Sequence, residues 1–239
     1  MRKYAVEFIG TFFLVTTVCG AVLSKVDLAP LAIGAVLTAM VFAGGHISGA
    51  HYNPAVTVAV FLRGRLAARD VLPYVAAQLL GATAAALISR LMFDVARPVP
   101  SQVSGRHLLT AVVAELIVTF ALAFVVLNVA TSSHHPNNSF YGLAIGFTVM
   151  SGAITVGPVS GGVFNPAVAV GVSMAGIMPW MMLPTYVVAT LAGGVLAAAA
   201  FRVLNPADVA PLSKTATSPD PGAPEVPVKS RKAIARSRS

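Results

Sequence analysis

The strongest constraint on the fold is a nine-residue segment that occurs twice in the chain. Residues 48–56 read SGAHYNPAV and residues 160–168 read SGGVFNPAV, so six of nine positions are identical and a seventh is aromatic in both. Two further landmarks repeat in the same order, at offsets of 108 to 112 residues: Glu7–Phe12 with Glu115–Phe120, and Leu72-Pro73 with Leu183-Pro184. Three segments that recur in the same order at nearly the same offset indicate an internal duplication.

Long apolar stretches dominate both halves. Charged residues make up only 10% of the 239 residues and the mean hydropathy is +0.81, whereas a soluble domain carries about 25% charged residues. Six stretches reach the roughly 20 apolar residues that a membrane-spanning helix needs. They are approximately 4–23, 31–49, 71–93, 108–129, 140–156 and 179–203. Two shorter apolar runs, 56–62 and 168–174, cannot span, and each begins beside a copy of Asn-Pro-Ala.

The number of spans determines how the halves are related. Each half holds three, an odd number, so the second half must cross the membrane in the opposite sense to the first. The short runs then enter as half-helices from opposite sides and meet near the midplane. We predict an all-α membrane protein with six transmembrane helices and two re-entrant half-helices in an inverted 3+3 repeat. Residues 1–103 and 104–204 form the halves, and 205–239 a disordered, basic, Pro-rich cytoplasmic tail.

Basic residues indicate the orientation. With both termini inside, the inner segments hold Arg2, Lys3, Arg63, Arg65, Arg69, Arg202 and the basic tail, against Lys25, Arg90, Arg97 and Arg106 outside. The positive-inside rule therefore predicts a multi-pass protein of the cell membrane with both termini in the cytoplasm. The net charge of +8 does not indicate nucleic-acid binding, because seven of the sixteen Lys and Arg residues follow Ala200 as a tail.

The two central tripeptides, Asn53-Pro54-Ala55 and Asn165-Pro166-Ala167, have the residues that begin helices. Asn is a favoured N-cap, and Pro suits the first helical position because it has no N–H to leave unpaired. Each Asn oxygen should accept from the first turn, which leaves its amide free to donate into a lumen. Both half-helices would also direct their partly positive ends at the centre, a barrier to cations. A third copy at 205–207 follows the last span and indicates a helix exit.

Several classes of function lack the residues they need. The single cysteine, Cys19, excludes an internal disulfide framework. The sequence shows no nucleophile–base pair and no cluster with metal-ligand spacing, so we expect no enzyme, no metal and no cofactor.

The motifs resemble those of the aquaporin (major intrinsic protein) family over roughly residues 3–204. Gly45–Thr57 is similar to the first motif of bacterial water channels, and Gly142–Gly146, Gly157-Pro158 and Asn165–Ala167 are similar to the second half. The resemblance implies a right-handed bundle, one pore per subunit, homotetramers in the bilayer, and passage of water and small neutral solutes. It implies that Glu7 and Glu115 brace the pore loops and that His46 packs beneath the first; a titrating gate at His46 is the alternative.

One position departs from the family pattern. Most members carry an arginine directly after the second Asn-Pro-Ala, where this chain has Val168. By resemblance the outer constriction would be Ile33, Ala153, Gly162 and Val168, a small, apolar and uncharged ring. A wider mouth would pass urea, glycerol, ammonia or hydrogen peroxide, whereas a dewetted ring would conduct poorly.

Two other classes of function stay open. Inverted repeats and broken helices also occur in ion-coupled secondary transporters, which saturate and follow an ion gradient. A non-conducting structural protein of the same family would fold well and show near-zero permeability.

Overall fold

The computed structural model describes residues 1–93 and 105–209, which contain the helices that the sequence predicts. Eight α-helices follow in order in this part of the chain: α1 (Arg2–Leu23), α2 (Ala29–Ser48), α3 (Pro54–Arg63), α4 (Ala68–Met92), α5 (Arg106–Thr131), α6 (Tyr141–Ser160), α7 (Pro166–Met174) and α8 (Leu183–Leu204). Six are long and apolar enough to cross a membrane. The predicted six spans and two half-helices are therefore confirmed.

The repeated Ser-Gly dipeptide explains where α2 and α6 end. Gly49 and Gly161 have φ of 83° and 87°, in the left-handed region that glycine enters without steric cost. The chain then turns back within four residues to Asn53 or Asn165, which stand in extended conformation before their helices. This tight reversal gives each half its short re-entrant helix.

The half-helices interlock the two repeats. Within each half α1 packs on α4 and α5 on α8, while α2 packs on α6 across the halves. The half-helix α3 also packs on α8 of the second half, and α7 packs on α4 of the first. Each re-entrant helix is thus held by a spanning helix of the other repeat, and both converge in the middle of the bundle.

The outer surface of the bundle is apolar. Large side chains such as Leu72, Leu91 and Val203 are exposed, as expected for helices that face lipid rather than water. We call the side carrying Arg2 and Leu204 the terminal face, and the other side the far face.

The chain stays packed for several residues beyond α8. Pro206–Asp208 form a 3-10 turn, and Asp208 is buried. The prediction of a disordered tail from residue 205 is therefore wrong for residues 205–209, because Asp208 is held by ionic contacts described below. Residues 210–239, the rest of that prediction, lie outside the described residues.

Candidate functional site

The two asparagines are bonded to each other's loops. The side-chain oxygen of Asn53 accepts from Ala55 N at 2.8 Å, and its nitrogen donates to Phe164 O at 2.9 Å. Asn165 reproduces this, accepting from Ala167 N at 2.8 Å and donating to Tyr52 O at 2.8 Å. The expectation that the amide nitrogens are wholly free needs correction: one hydrogen of each is taken, and one is left for the lumen.

A buried carboxylate holds each loop. Glu7 accepts hydrogen bonds from Ser48 Oγ at 2.7 Å, His51 N at 2.9 Å and Tyr52 N at 2.7 Å. Gln78 Nε2 donates to it as well, at 2.8 Å. These bonds satisfy the loop's backbone N–H groups, which no helix partner reaches.

Glu115 makes the corresponding contacts in the second half. It accepts from Ser160 Oγ at 2.7 Å, Val163 N at 2.9 Å and Phe164 N at 2.6 Å. Both carboxylates are fully buried and occupied by loop donors. They lie where loop bracing requires them, rather than free to relay ions.

A narrow cavity passes between the half-helices. Its volume of about 30 Å³ gives room for about two waters, at roughly 10–15 Å³ for each. Its lining consists of nine pairs of residues related by the repeat: Leu14/Leu122, Val18/Val126, Ile33/Ile145, Leu37/Val149, Ala50/Gly162, His51/Val163, Tyr52/Phe164, Asn53/Asn165 and Val56/Val168. The lumen is therefore nearly two-fold symmetric in chemistry as well as in backbone.

Polar side chains reach this lumen at few points. Among its lining residues only Asn53, Asn165 and His51 offer polar side-chain groups to the lumen. The one other polar side chain, the Tyr52 hydroxyl, is already engaged, because it donates to Met40 O at 2.9 Å. The rest of the wall is aliphatic or aromatic. Such a lining gives passing molecules few partners away from the centre, and it holds no charged side chain.

The predicted outer ring is only partly gathered on the cavity. Ile33, Gly162 and Val168 line it, and Ala153 does not. Ala153 lies behind Gly162, whose Cβ, if present, would stand 3.5 Å from the Ala153 Cα. Val168 is buried and takes the place that Val56 has in the first half. Position 168, where the resemblance leads us to expect an arginine, is thus a copy of an apolar residue of the other repeat.

His46 does not brace the first loop. Its side chain is exposed and borders a wide vestibule of about 670 Å³ at the terminal face. Position 46 lies in the last turn of α2, where it shares the vestibule wall with Ser48 and His51. The residue that packs within the loop is His51, which is 7% exposed.

His51 lines both the vestibule and the narrow lumen, and our sequence analysis missed it. Its Nδ1 lies 3.2 Å from Thr57 Oγ1, whose hydroxyl donates to Asn53 O at 3.0 Å. The same hydroxyl accepts from Gln78 Nε2 at 2.9 Å. We therefore assign the Nδ1–H tautomer to His51, in which Nδ1 donates to Thr57 and Nε2 is an acceptor. The signal was present in sequence: position 51 breaks the repeat, since the second half has Val163 there.

Arginines secure the outer ends of the half-helices. Arg202 Nη1 donates to Leu62 O in the last turn of α3, at 3.1 Å. Arg90 Nη1 donates to Met174 O at the end of α7, also at 3.1 Å. A cation at a helix C-terminus satisfies carbonyls that have no intrahelical partner and complements the dipole. The repeat thus fixes both half-helices at both ends.

In residues 1–93 and 105–209 no group of three or more His, Cys, Asp or Glu side chains could hold a metal ion.

Known proteins share this sequence and fold. The family described as Major intrinsic protein matches residues 1–158 and 143–225. Aquaporin NIP1-1 of Oryza sativa subsp. japonica is 38% identical over 214 residues, covering 86% of this chain and 75% of that protein. Glycerol uptake facilitator protein-like 6 of Lactiplantibacillus plantarum is 37% identical over 221 residues, covering 87% and 100%. The X-ray structure of the aquaglyceroporin from Plasmodium falciparum has the same fold, with a TM-score of 0.71 at 23% identity over 86% of this chain and 97% of that one.

Proposed function

Because the chain belongs to the major intrinsic protein family, whose members are channels and not enzymes, we propose that it is a passive channel for water and small neutral solutes that excludes ions. The observation that carries the proposal is the reciprocal bonding of Asn53 and Asn165 at the centre of an apolar lumen. Two aligned donors in an otherwise apolar passage suit a molecule that accepts hydrogen bonds and carries no charge.

Ion exclusion follows from the same centre. The N-terminal ends of α3 and α7 meet there, and each carries a partial positive charge. A cation would lose its hydration among apolar walls and meet two repelling dipoles, whereas a neutral molecule pays only for its lost hydrogen bonds. We propose that this is the main ion barrier, since the lining holds no arginine.

The solute range rests on the outer half. The constriction that we propose there is lined by Ile33, Gly162 and Val168, with Ala153 behind Gly162, and none of these residues is cationic. Valine at position 168 leaves more room than arginine would, which supports passage of glycerol or urea, and of the smaller ammonia or hydrogen peroxide. The likeness to a protein named as a glycerol uptake facilitator supports the same class of solute.

We further propose that the terminal face is cytoplasmic, in the cell membrane, and that the channel is a homotetramer. The basic residues Arg2, Lys3, Arg65 and Arg69 near the terminal face support this orientation under the positive-inside rule. The tetramer rests on the family resemblance.

The test is permeability in reconstituted liposomes. Light scattering after a sucrose step reports water efflux, and re-swelling in glycerol or urea reports solute entry. Val168→Arg should reduce glycerol and urea entry about tenfold or more, the effect of a barrier raised by about 1.4 kcal/mol. Val168→Met is the matched control, because it has similar length without charge and separates narrowing from electrostatics.

Each result has a definite meaning. Fast water and solute flux, reduced by Val168→Arg, supports a neutral-solute channel with Val168 at its filter. Water flux without solute entry would limit the proposal to water. Flux that saturates and follows an ion gradient would indicate a coupled transporter, and liposomes that behave as empty ones despite verified insertion would indicate a non-conducting protein.

A further inference from the structure

Four segments of the chain meet at one buried ion pair on the terminal face. Arg63, the last residue of α3, is fully buried. Its Nη2 lies 3.1 Å from Oδ1 of Asp208, which follows α8 and is itself buried. Asp208 also accepts from the backbone N of Ser133, in the loop between α5 and α6, at 3.2 and 3.1 Å to its two oxygens.

Arg63 is bonded to the end of α5 and packs against α8. Its Nε donates to Thr131 Oγ1 at 3.0 Å and its Nη2 to Thr131 O at 3.1 Å. Its guanidinium lies 4.7 Å from the centre of the Phe201 ring. Arg65, exposed nearby, is 3.8 Å from the Asp208 carboxylate. Asp208 is thus the counter-charge that allows Arg63 to be buried.

We infer that Asp208 is a positioning residue for the pore, holding through Arg63 the half-helix that carries Asn53 and through Ser133 the loop that walls the vestibule. The half-helix α3 has 10 residues, about 15 Å at 1.5 Å per residue, so its two ends move as one element. Ser132 and Ser133 line the vestibule, as does Arg65. The Asp208 carboxylate therefore positions both the loop at the vestibule and the half-helix that reaches the centre of the lumen.

Within residues 1–93 and 105–209, α3 ends in such a buried ion pair and α7 does not. The repeat places Ala175 where the first half has Arg63, so α7 ends without a buried charge. The arginines Arg90 and Arg202 already hold the two half-helices symmetrically. The Asp208 contact is thus an addition that acts on the terminal face, four residues after the end of α8.

The experiment combines hydrogen exchange with permeability in the full-length protein. Asp208→Asn should speed amide exchange in residues 132–138 and in the last turn of α3 about tenfold or more, with α1 and α4 unchanged. It should also change the ratio of glycerol to water permeability about threefold or more. That ratio is insensitive to the amount of folded protein, so a merely structural loss would not move it.

Matched variants isolate the contact. Asp208→Glu should restore the exchange pattern in part, and Asp27→Asn, the same change at an exposed far-face residue, should leave it as in the wild type. Arg63→Gln combined with Asp208→Asn should destabilise the protein less than the sum of the two single changes. Each single change leaves its partner as a lone buried charge, whereas the double variant leaves none.

The inference rests on the proposed channel function only for the permeability readout. The inference would be overturned if residues 132–138 of the Asp208→Asn variant exchanged at the wild-type rate. It would also be overturned if exchange rose equally in all helices. An unchanged permeability ratio with a loosened loop would overturn the positioning role. If the wild-type protein does not conduct, the channel proposal fails, and the exchange data alone decide whether Asp208 holds the loop and α3.

Discussion

The side-chain nitrogen of Asn53 lies 2.9 Å from the carbonyl oxygen of Phe164, so the cap of one half-helix is bonded to the loop that precedes the other. Asn165 makes the reciprocal bond to Tyr52. Tyr52 and Phe164 have φ of 48° and 51°, a left-handed conformation that costs energy in a bulky residue. The cross-bonds and the two glutamates hold this conformation in place.

Asn53→Asp should separate capping from cross-bonding. The carboxylate still accepts from Ala55 N, but it cannot donate to Phe164 O and instead repels it. Leaving that buried carbonyl unpaired should cost about 1–3 kcal/mol of stability, and a negative charge at the centre should admit cations. Thermal unfolding in detergent and sodium leak from liposomes measure the two effects.

Asn205→Asp is the control for that change, because Asn205 begins the third Asn-Pro-Ala yet ends α8 outside the lumen. If Asn53→Asp leaked no more sodium than the wild type, the assignment of the central ion barrier to this asparagine pair would be contradicted.

The spans and caps could be predicted because their signals are local. Length and hydropathy define a spanning helix, and Asn-Pro at the start of a short apolar run defines a half-helix. The cross-bonds join residues 111 and 113 positions apart, so they depend on how two loops approach, which a local pattern does not encode. Asp208 was missed for the same reason: it lies in a polar, Pro-rich segment, and its partner Arg63 lies at the end of a distant helix.

Helix contact in this bundle depends on small residues, and α6 offers a test within a single helix. A Cβ at Gly146 would overlap Thr38 Oγ1 and the carbonyl oxygen of Gly34 on α2, whereas a Cβ at Gly157 would meet nothing within 4 Å. Gly146→Ala should therefore destabilise by about 1–3 kcal/mol through overpacking. Gly157→Ala should cost less, because the only strain it meets is the local one between its Cβ and the ring of Pro158, the next residue of α6. The midpoints of thermal unfolding of the two variants test this prediction. Equal midpoints would argue against close contact between α2 and α6.

Acid should release the Asp208 contact only at very low pH. Burial acts to raise the pKa of Asp208, but hydrogen bonds from Ser132 and Ser133 and the charge of Arg63 outweigh it and lower the pKa to about 2. A carboxyl whose folded pKa lies below its unfolded value, about 3.9, stabilises the fold above the unfolded value and loses this contribution as pH falls through the folded one.

The midpoint difference between wild type and Asp208→Asn should therefore be constant from pH 7 to about 5 and shrink from there toward pH 2. A difference that already disappears near pH 6 would show that another group controls this contact.

His51 should set the barrier at the junction between vestibule and lumen. Its Nε2 is an acceptor where the wide vestibule narrows, and the wall beyond it is apolar up to the asparagines. His51→Val, which copies Val163 of the other half, removes one hydrogen bond to passing water, worth about 0.5–1.5 kcal/mol, so water permeability should fall about two- to tenfold. His46→Val is the matched control, because His46 is exposed in the vestibule and its loss should leave permeability unchanged. Equal effects of the two substitutions would mean that the vestibule, and not its junction with the lumen, limits the flux.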